Sequence, residues 1–511
     1  MPHAPAAPPP AAPLASAAPT ASAAPGRSAT RTAARATHHD GPLAVPTLGP
    51  PPPGLASSPR TPLYDAVLAV VTDVLQPAGH SRPTCKRLAL LVAGLLGSEQ
   101  GSPTAVAQAA WRQGIGTATQ EPSVARRVAR LLDAPQLEAT RLLPVLAQRL
   151  LPVLLADAAR AHDHSVGTHG PSPHHARWRG VRLVLDETSH TDQTHVLVVG
   201  LAYRGVVLPL GVRTWPQNAP LPPHTSWPTV LSLLTEVQTA LPPPLRAHVV
   251  LLADRFYAVP ALFALLTAFG WAAVLRAQGQ VRVRLPDGTE RALHTLVPRP
   301  GGVWTSAPGA TLAPDDAGAR ETADVVGVFK GAGWLPLRVV AVWLPEQAAP
   351  WLLLTTLPVR RQRLLEYAAR WAIERLFLSW KSHGWQLEAT HCTPARLARL
   401  LTGYVVATWY LLAAAIRPAT QYLGRLAAHS THAPSHPVQL PLPWEPPHRP
   451  WPAKRSLLTC GRAAFRACDL RVGTPPLCWA LPAWEAPAWS VECSRLYHGL
   501  ASSDGQFSAS P

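Results

Sequence analysis

The hydrophobic pattern of this chain changes character several times along its length. Over residues 61–160 apolar positions recur every three to four residues, which predicts helices at Leu63–Leu75, Lys86–Leu96, Thr104–Arg112, Ser123–Leu132 and Gln136–Ala159. Turn residues separate them: Pro77-Ala78-Gly79, Gly97-Ser98, Gly114 and Pro122. Ser102-Pro103-Thr104 reads as a capped helix start with proline in the first turn, and Ser123 as the cap of the next helix. From Val181 the apolar residues form strand-like runs: Val181–Leu185, His195–Tyr203 and Val206–Thr214, with Arg204-Gly205 as a turn. A helix (Thr229–Leu241), a strand (His248–Ala253), a helix (Pro260–Phe269) and a strand (Ala272–Arg276) follow. Three hairpin-linked strands and then α/β crossovers predict a mixed sheet with helices on both faces.

Beyond this core, residues 278–358 read as β structure, with strands at Val281–Leu285, Arg291–Leu296, Val325–Phe329, Leu337–Leu344 and Trp351–Thr356. A long helix is predicted from Arg361 through Lys381 and a second from Pro394. The run Leu400–Ile416 is the most apolar of the chain. It is short for a bilayer span and contains Thr402, Gly403 and Thr408, so a buried core helix is the expectation and no membrane role is expected. The ends lack periodicity. Residues 1–60 are nearly all Ala, Pro, Ser, Thr and Gly, and hold 15 of the 59 prolines, which predicts disorder. The Pro/Trp-rich stretch 417–511 is expected to be loosely folded. The resulting layout is 1–60 disordered, 61–160 helical, 161–180 linker, 181–277 first part of an α/β core, 278–358 β-rich insertion, 359–416 closing helices and 417–511 tail.

Composition adds less than it promises. The formal net charge is +17, which favours a polyanionic partner, nucleic acid before membrane surface. Only Lys86, Lys330, Lys381 and Lys454 are lysines among 46 cationic residues, and Asn218 is the one asparagine. Arginine, alanine and proline in place of lysine, asparagine and isoleucine is also the signature of a GC-rich gene, so the charge total does not by itself specify a function. Six cysteines without a C-x-x-C pair argue against a disulfide scaffold or a zinc site. The histidines of 162–175 lie in a Gly/Pro/Ser stretch and read as linker. Within the helical region, Arg126, Arg127 and Arg130 give the helix after Pro122 a basic face. A helix-turn-helix reader of DNA and a plain helical bundle with a solvated face fit this segment equally well.

Three acids stand out by placement. Asp186 follows the first predicted strand, Asp254 follows the strand His248–Ala253, and Glu374 lies on the helix after Arg361. Carboxylates at the carboxyl edge of an α/β sheet occupy the usual ligand position, and two or three of them suit a hard cation such as Mg²⁺. Each Asp alone fits a turn or cap equally well. Tyr367, Arg370, Glu374 and Lys381 share one helical face, which combines an acid with two cations and a phenol. The bland alternative is a solvated amphipathic helix.

The spacing Y-(2)-R-(3)-E-(6)-K, met here by Tyr367, Arg370, Glu374 and Lys381, resembles the third motif of bacterial insertion-sequence DDE transposases. Asp186-Glu187-Thr188 and Asp254-Arg255 are similar to the first two motifs of that family, in the same order. The resemblance covers about residues 62–416. It implies an α/β, ribonuclease-H-like mixed sheet with a β-rich insertion, preceded by an all-α DNA-binding domain. It implies Asp186, Asp254 and Glu374 as metal-binding catalytic acids for Mg²⁺, with Mn²⁺ as a substitute. Arg370 and Lys381 would grip the DNA backbone, Tyr367 would support the phosphate, and Trp304 is a candidate for base stacking. The implied partners are double-stranded DNA, at transposon ends and target, and a second copy of the chain in a homodimer. The implied location is cytoplasmic, at the nucleoid. A catalytically inactive DNA-binding derivative of such an enzyme is the alternative, and a metal-dependent nuclease without strand transfer a third.

Overall fold

The computed structural model describes residues 62–112, 114, 120–134, 139–155, 181–191, 193–203, 206–217, 226–246, 248–307, 325–344, 347–360, 362–382, 384–429, 458 and 462. The expectations for 1–60, for the histidines of 162–175 and for the late cysteines fall outside them. Five helices come first: α1 (Pro62–Leu75), α2 (Arg82–Gly97), α3 (Pro103–Arg112), α4 (Glu121–Leu132) and α5 (Ala139–Leu154). Ser102 Oγ accepts the Ala105 N–H at 3.2 Å, so this predicted cap is present. Ser123 is not a cap. Helix α4 begins two residues earlier, and Ser123 Oγ instead accepts from Arg126 at 3.3 Å.

The rest is a mixed α/β arrangement on an eleven-stranded sheet. Strands β1 (Val181–His190), β2 (Thr194–Tyr203) and β3 (Val206–Pro216) form an antiparallel meander. Helix α6 (Ser226–Ala240) leads to β4 (Val249–Ala253), which pairs parallel to β1. Helix α7 (Pro260–Phe269) leads on to β5 (Ala272–Arg276), parallel to β4. Gly270 ends α7 at φ +68°, and the Trp271 N–H returns to the Leu266 carbonyl at 2.8 Å, a left-handed termination that favours glycine. These strands stand in the order β3-β2-β1-β4-β5.

Residues 278–358 do not form a sheet of their own. They supply β6 (Arg282–Arg284), β7 (Glu290–Ala292), β8 (Val303–Thr305), β9 (Val326–Val328), β10 (Leu335–Val342) and β11 (Trp351–Thr355). Strand β11 pairs antiparallel to β5, and the order continues β11-β10-β9-β6-β7, with β8 also on β10. Trp304 sits in β8 opposite Ala341 and packs half-buried against the core.

The helix predicted over 361–381 is interrupted. It consists of α8 (Gln362–Ala368), a 3₁₀ turn at Ala369–Trp371, and α9 (Ala372–Lys381). Helix α10 (Pro394–His429) closes the fold and runs past the expected end at 416. Helix α8 packs on β4 and β5, α9 on β1, β2 and β3, and α10 on β3. Helix α10 also packs on α2, α4 and α5, which explains its apolar run: every residue from Leu400 to Ala413 is buried. The Trp409 indole donates to the Pro209 carbonyl at 2.7 Å, and Arg399 donates to the Leu132 carbonyl at the end of α4 at 2.6 Å. Among the described residues no helix is long and apolar enough to cross a membrane. The five leading helices therefore share one core with the sheet. From the tail, Leu458 is buried and Arg462 stacks over Trp385 at 4.7 Å, so at least these two residues pack on the core.

Candidate active site

The register of β1 against β4 ends at Leu185 beside Ala253, so the next residue on each strand is an aspartate. Parallel pairing thus sets Asp186 and Asp254 at the same edge of the sheet. Contrary to the sequence expectation, Asp186 does not end its strand. Strand β1 continues to His190, paired only with β2. Asp186 Oδ1 accepts the Glu187 N–H at 2.9 Å. Asp254 Oδ1 accepts the Phe256 N–H at 3.0 Å and closes the turn after β4, so the turn role expected of an isolated Asp is filled as well.

The third acid reaches this edge through Arg370. The 3₁₀ turn between α8 and α9 directs the Arg370 side chain inward, where it is 6% exposed. Its Nη1 donates to Asp186 Oδ2, and its Nη2 donates to Glu374 Oε1 at 3.0 Å. Burial, and the negative charges of Asp254 and Glu374, outweigh this ion pair and push the Asp186 carboxyl up to about 6. Burial opposes the charge on Arg370, but Tyr367 and the three acids together hold its pKa above the usual value.

Tyr367 is 1% exposed, set edge-on to Trp351 at 5.2 Å and beneath the Arg370 guanidinium, 5.8 Å from ring centre to Cζ. Burial raises its phenol pKa. Lys381 ends α9 and pairs with Glu388 at 2.8 Å. The loop that carries Glu388 is tied to the end of β1, where His190 Nε2 lies 3.0 Å from the Leu387 carbonyl. The structure therefore brings Asp186, Asp254, Glu374, Arg370 and Tyr367 into one neighbourhood. Tyr367, Arg370 and Glu374 remain neighbours along the helix although a 3₁₀ turn interrupts it: Arg370 lies over the Tyr367 ring and pairs with Glu374 four residues on.

Arg126 and Arg130 are exposed on one side of α4, opposite the buried Val124, Val128 and Leu132, and Arg127 is half-buried. An exposed basic face on a packed bundle satisfies both readings of this segment.

A second group of side chains was not anticipated. Successive residues of a strand face opposite sides, so Glu187 points away from Arg370. It meets His195 Nδ1 on β2 and the Tyr257 hydroxyl, which donates to Glu187 Oε2 at 3.5 Å. His195 stacks on Trp215 of β3 at 5.2 Å, and Trp227 of α6 meets Tyr257 edge-on at 6.4 Å. The sequence signal was the period-2 placement of Glu187 beside Asp186, but its partners become visible only once the hairpin register is known.

The donor set Asp186, Asp254 and Glu374 is all oxygen, which suits a hard divalent cation. Burial is the largest cause of the raised Asp186 pKa, with Asp254 and Glu374 adding to it, so the fit to such an ion rests on the all-oxygen donor set. Its present geometry does not offer a ready cage. Among the described residues no three His, Cys, Asp or Glu side chains are grouped closely enough to hold a metal, and Arg370 lies on two of the three acids. Compared with protein-family models and with curated proteins, the chain matches none.

Proposed function

We propose that this chain is a DNA transposase of the DDE type, built on a ribonuclease-H-like core, that cuts at the inverted ends of its element and joins 3′-hydroxyls to target DNA. The observation that carries the reading is the register of β1 and β4, which seats Asp186 beside Asp254, with Arg370 linking Asp186 to Glu374. The strand order β3-β2-β1-β4-β5 supports it, being the order expected of that core.

On this reading Asp186, Asp254 and Glu374 hold Mg²⁺ or Mn²⁺. Bound, the cations neutralise charge on attacking and leaving oxygens and make a hydroxyl a better nucleophile. Arg370 has two roles in sequence. Without DNA it balances the acids, and with DNA its planar fork turns to a phosphate, which leaves Asp186 and Glu374 free to ligate. Tyr367 steadies Arg370 from below. Lys381 supplies a point charge about two turns beyond Glu374, once its pair with Glu388 opens. The exposed Arg126 and Arg130 face of α4 contacts the duplex away from the cut, and a homodimer brings two ends together.

Purified protein is incubated with DNA carrying the element's ends and Mg²⁺ or Mn²⁺. Nicked and joined products are expected, with Asp186→Ala and Glu374→Ala reduced by at least about 10³-fold. Equal cleavage by these variants overturns the reading. The second reading, an inactive DNA-binding derivative, is favoured by one observation: Arg370 already occupies two of the acids. It predicts DNA binding through α4 with no metal-dependent cleavage.

A further inference from the structure

Behind Asp186, on the other side of the sheet, lies a polar group with no part in the chemistry above. Glu187 is only a quarter exposed, yet two donors from different elements converge on it: His195 from β2 and the Tyr257 hydroxyl from the turn after β4. Two members of the group, Glu187 and Tyr257, lie on the aspartate-bearing segments. The Glu187 N–H donates to Asp186 Oδ1, so whatever orients Glu187 also orients the hydrogen bond on that carboxylate. Tyr257 closes the turn that Asp254 opens. Its N–H donates to the Asp254 carbonyl at 3.1 Å, and its neighbour Phe256 donates to the Asp254 carboxylate. The outer members are held by aromatic packing, His195 against Trp215 and Tyr257 against Trp227. Glu187 and His195 lie diagonally across the β1–β2 pair, since Glu187 is opposite Leu197 and His195 is two positions from Leu197.

We infer that Glu187, His195 and Tyr257 are positioning residues that set the spacing and orientation of Asp186 and Asp254 for a shared divalent cation. This rests on the metal-binding reading of those acids. Pairing with β2 holds Asp186 and Glu187 on their own strand, but pairing between β1 and β4 stops one residue short of both carboxylates and does not join them. Beyond that point the Tyr257–Glu187 hydrogen bond is the link across the gap. Groups that orient metal ligands through hydrogen bonds change metal affinity by roughly 10–100-fold when removed.

The test is direct Mn²⁺ binding to the full-length protein without DNA, followed by the loss of the free-ion electron paramagnetic resonance signal, with thermal melts alongside. Tyr257→Phe keeps the ring and removes the hydroxyl, and His195→Ala removes the second donor. Each is expected to weaken Mn²⁺ binding by about tenfold. His195→Gln keeps an N–H for Glu187 and is expected to recover most of the loss, which a purely space-filling role does not predict. Wild-type Mn²⁺ affinity in Tyr257→Phe and His195→Ala, together with lost binding in Asp186→Ala, overturns the inference and leaves the metal site standing. Wild-type affinity in Asp186→Ala removes the metal site and this inference with it.

Discussion

Strands β1, β4 and β5 run parallel and are buried over nearly their whole paired length, whereas β6, β7, β8 and β9 are three-residue antiparallel strands in which exposed and buried positions mix. Both sets belong to one sheet. Parallel neighbours need crossovers, so helices cover both faces and every strand delivers its carboxyl end to the same edge. Antiparallel hairpins alternate direction and gather no such edge. The acids Asp186 and Asp254 occur in the first half, and the second half widens the sheet without adding an acid to that edge. The two aspartates thus sit in the parallel strands, while the insertion contributes both the buried strands β10 and β11 and the short strands β6 to β9.

This contrast can be broken or sharpened by four measurements. The largest effect is expected from Leu252→Ala in β4, where a fully buried side chain in the parallel half is lost: about 3–4 kcal/mol by urea unfolding. Val283→Ala in β6, equally buried, should cost about 2 kcal/mol. A larger loss at Val283 than at Leu252 would reverse the comparison.

The second concerns pH. Asp186 has a folded pKa of about 6 against 3.8 for the free side chain, so its ionisation opposes folding. The penalty is absent below about pH 4, develops between about pH 4 and 6, and is then constant, at about 3 kcal/mol for a shift of this size. Metal-free wild type should therefore lose stability across that interval relative to Asp186→Asn, as read from paired urea titrations. Added Mn²⁺ should shrink the difference at neutral pH. A parallel pH dependence in both proteins would show that the acid edge carries no such strain.

Third, Ser306 joins β8 to β10 within the insertion: its Oγ accepts the buried Val339 N–H at 3.0 Å. Ser306→Ala leaves that donor unpaired, and a loss of about 1–2 kcal/mol is expected in thermal melts. The smallest effect is expected for Lys330→Ala. Lys330 pairs with Glu290 at 2.8 Å but is 62% exposed, so the change should stay within about 0.5 kcal/mol.

Much of the architecture could be read from the hydrophobic pattern. The helix Pro260–Phe269 and the strand Ala272–Arg276 match to the residue, because proline opens the one and glycine separates the two. The apolar pattern ends strand β1 at Leu185 because five polar residues follow, Asp186 through His190. The strand continues there because β2 still offers backbone partners and the polar side chains find donors of their own, and neither is a local property. The break between α8 and α9 leaves no mark in the spacing of apolar residues. Around it, Arg363 and Glu366 form a buried pair at 2.6 Å, and Arg370 pairs with Asp186 on another element. The order Asp186, Asp254, Glu374 was visible, but the Arg370 bridge and the Glu187–His195–Tyr257 group depend on register. The long extent of α10 was hidden by Pro418, which suggested an end that the helix passes.

The three acids are far apart in the chain, at 186, 254 and 374. No pair of them is brought together by local structure: Asp186 meets Asp254 only after a hairpin, a meander strand and a crossover, and Glu374 arrives after the whole insertion. During synthesis at about 5–20 residues per second, roughly 10–40 s separate the first acid from the last. A nascent chain therefore carries its leading helices, with the Arg126 and Arg130 face, well before it carries a complete acid edge.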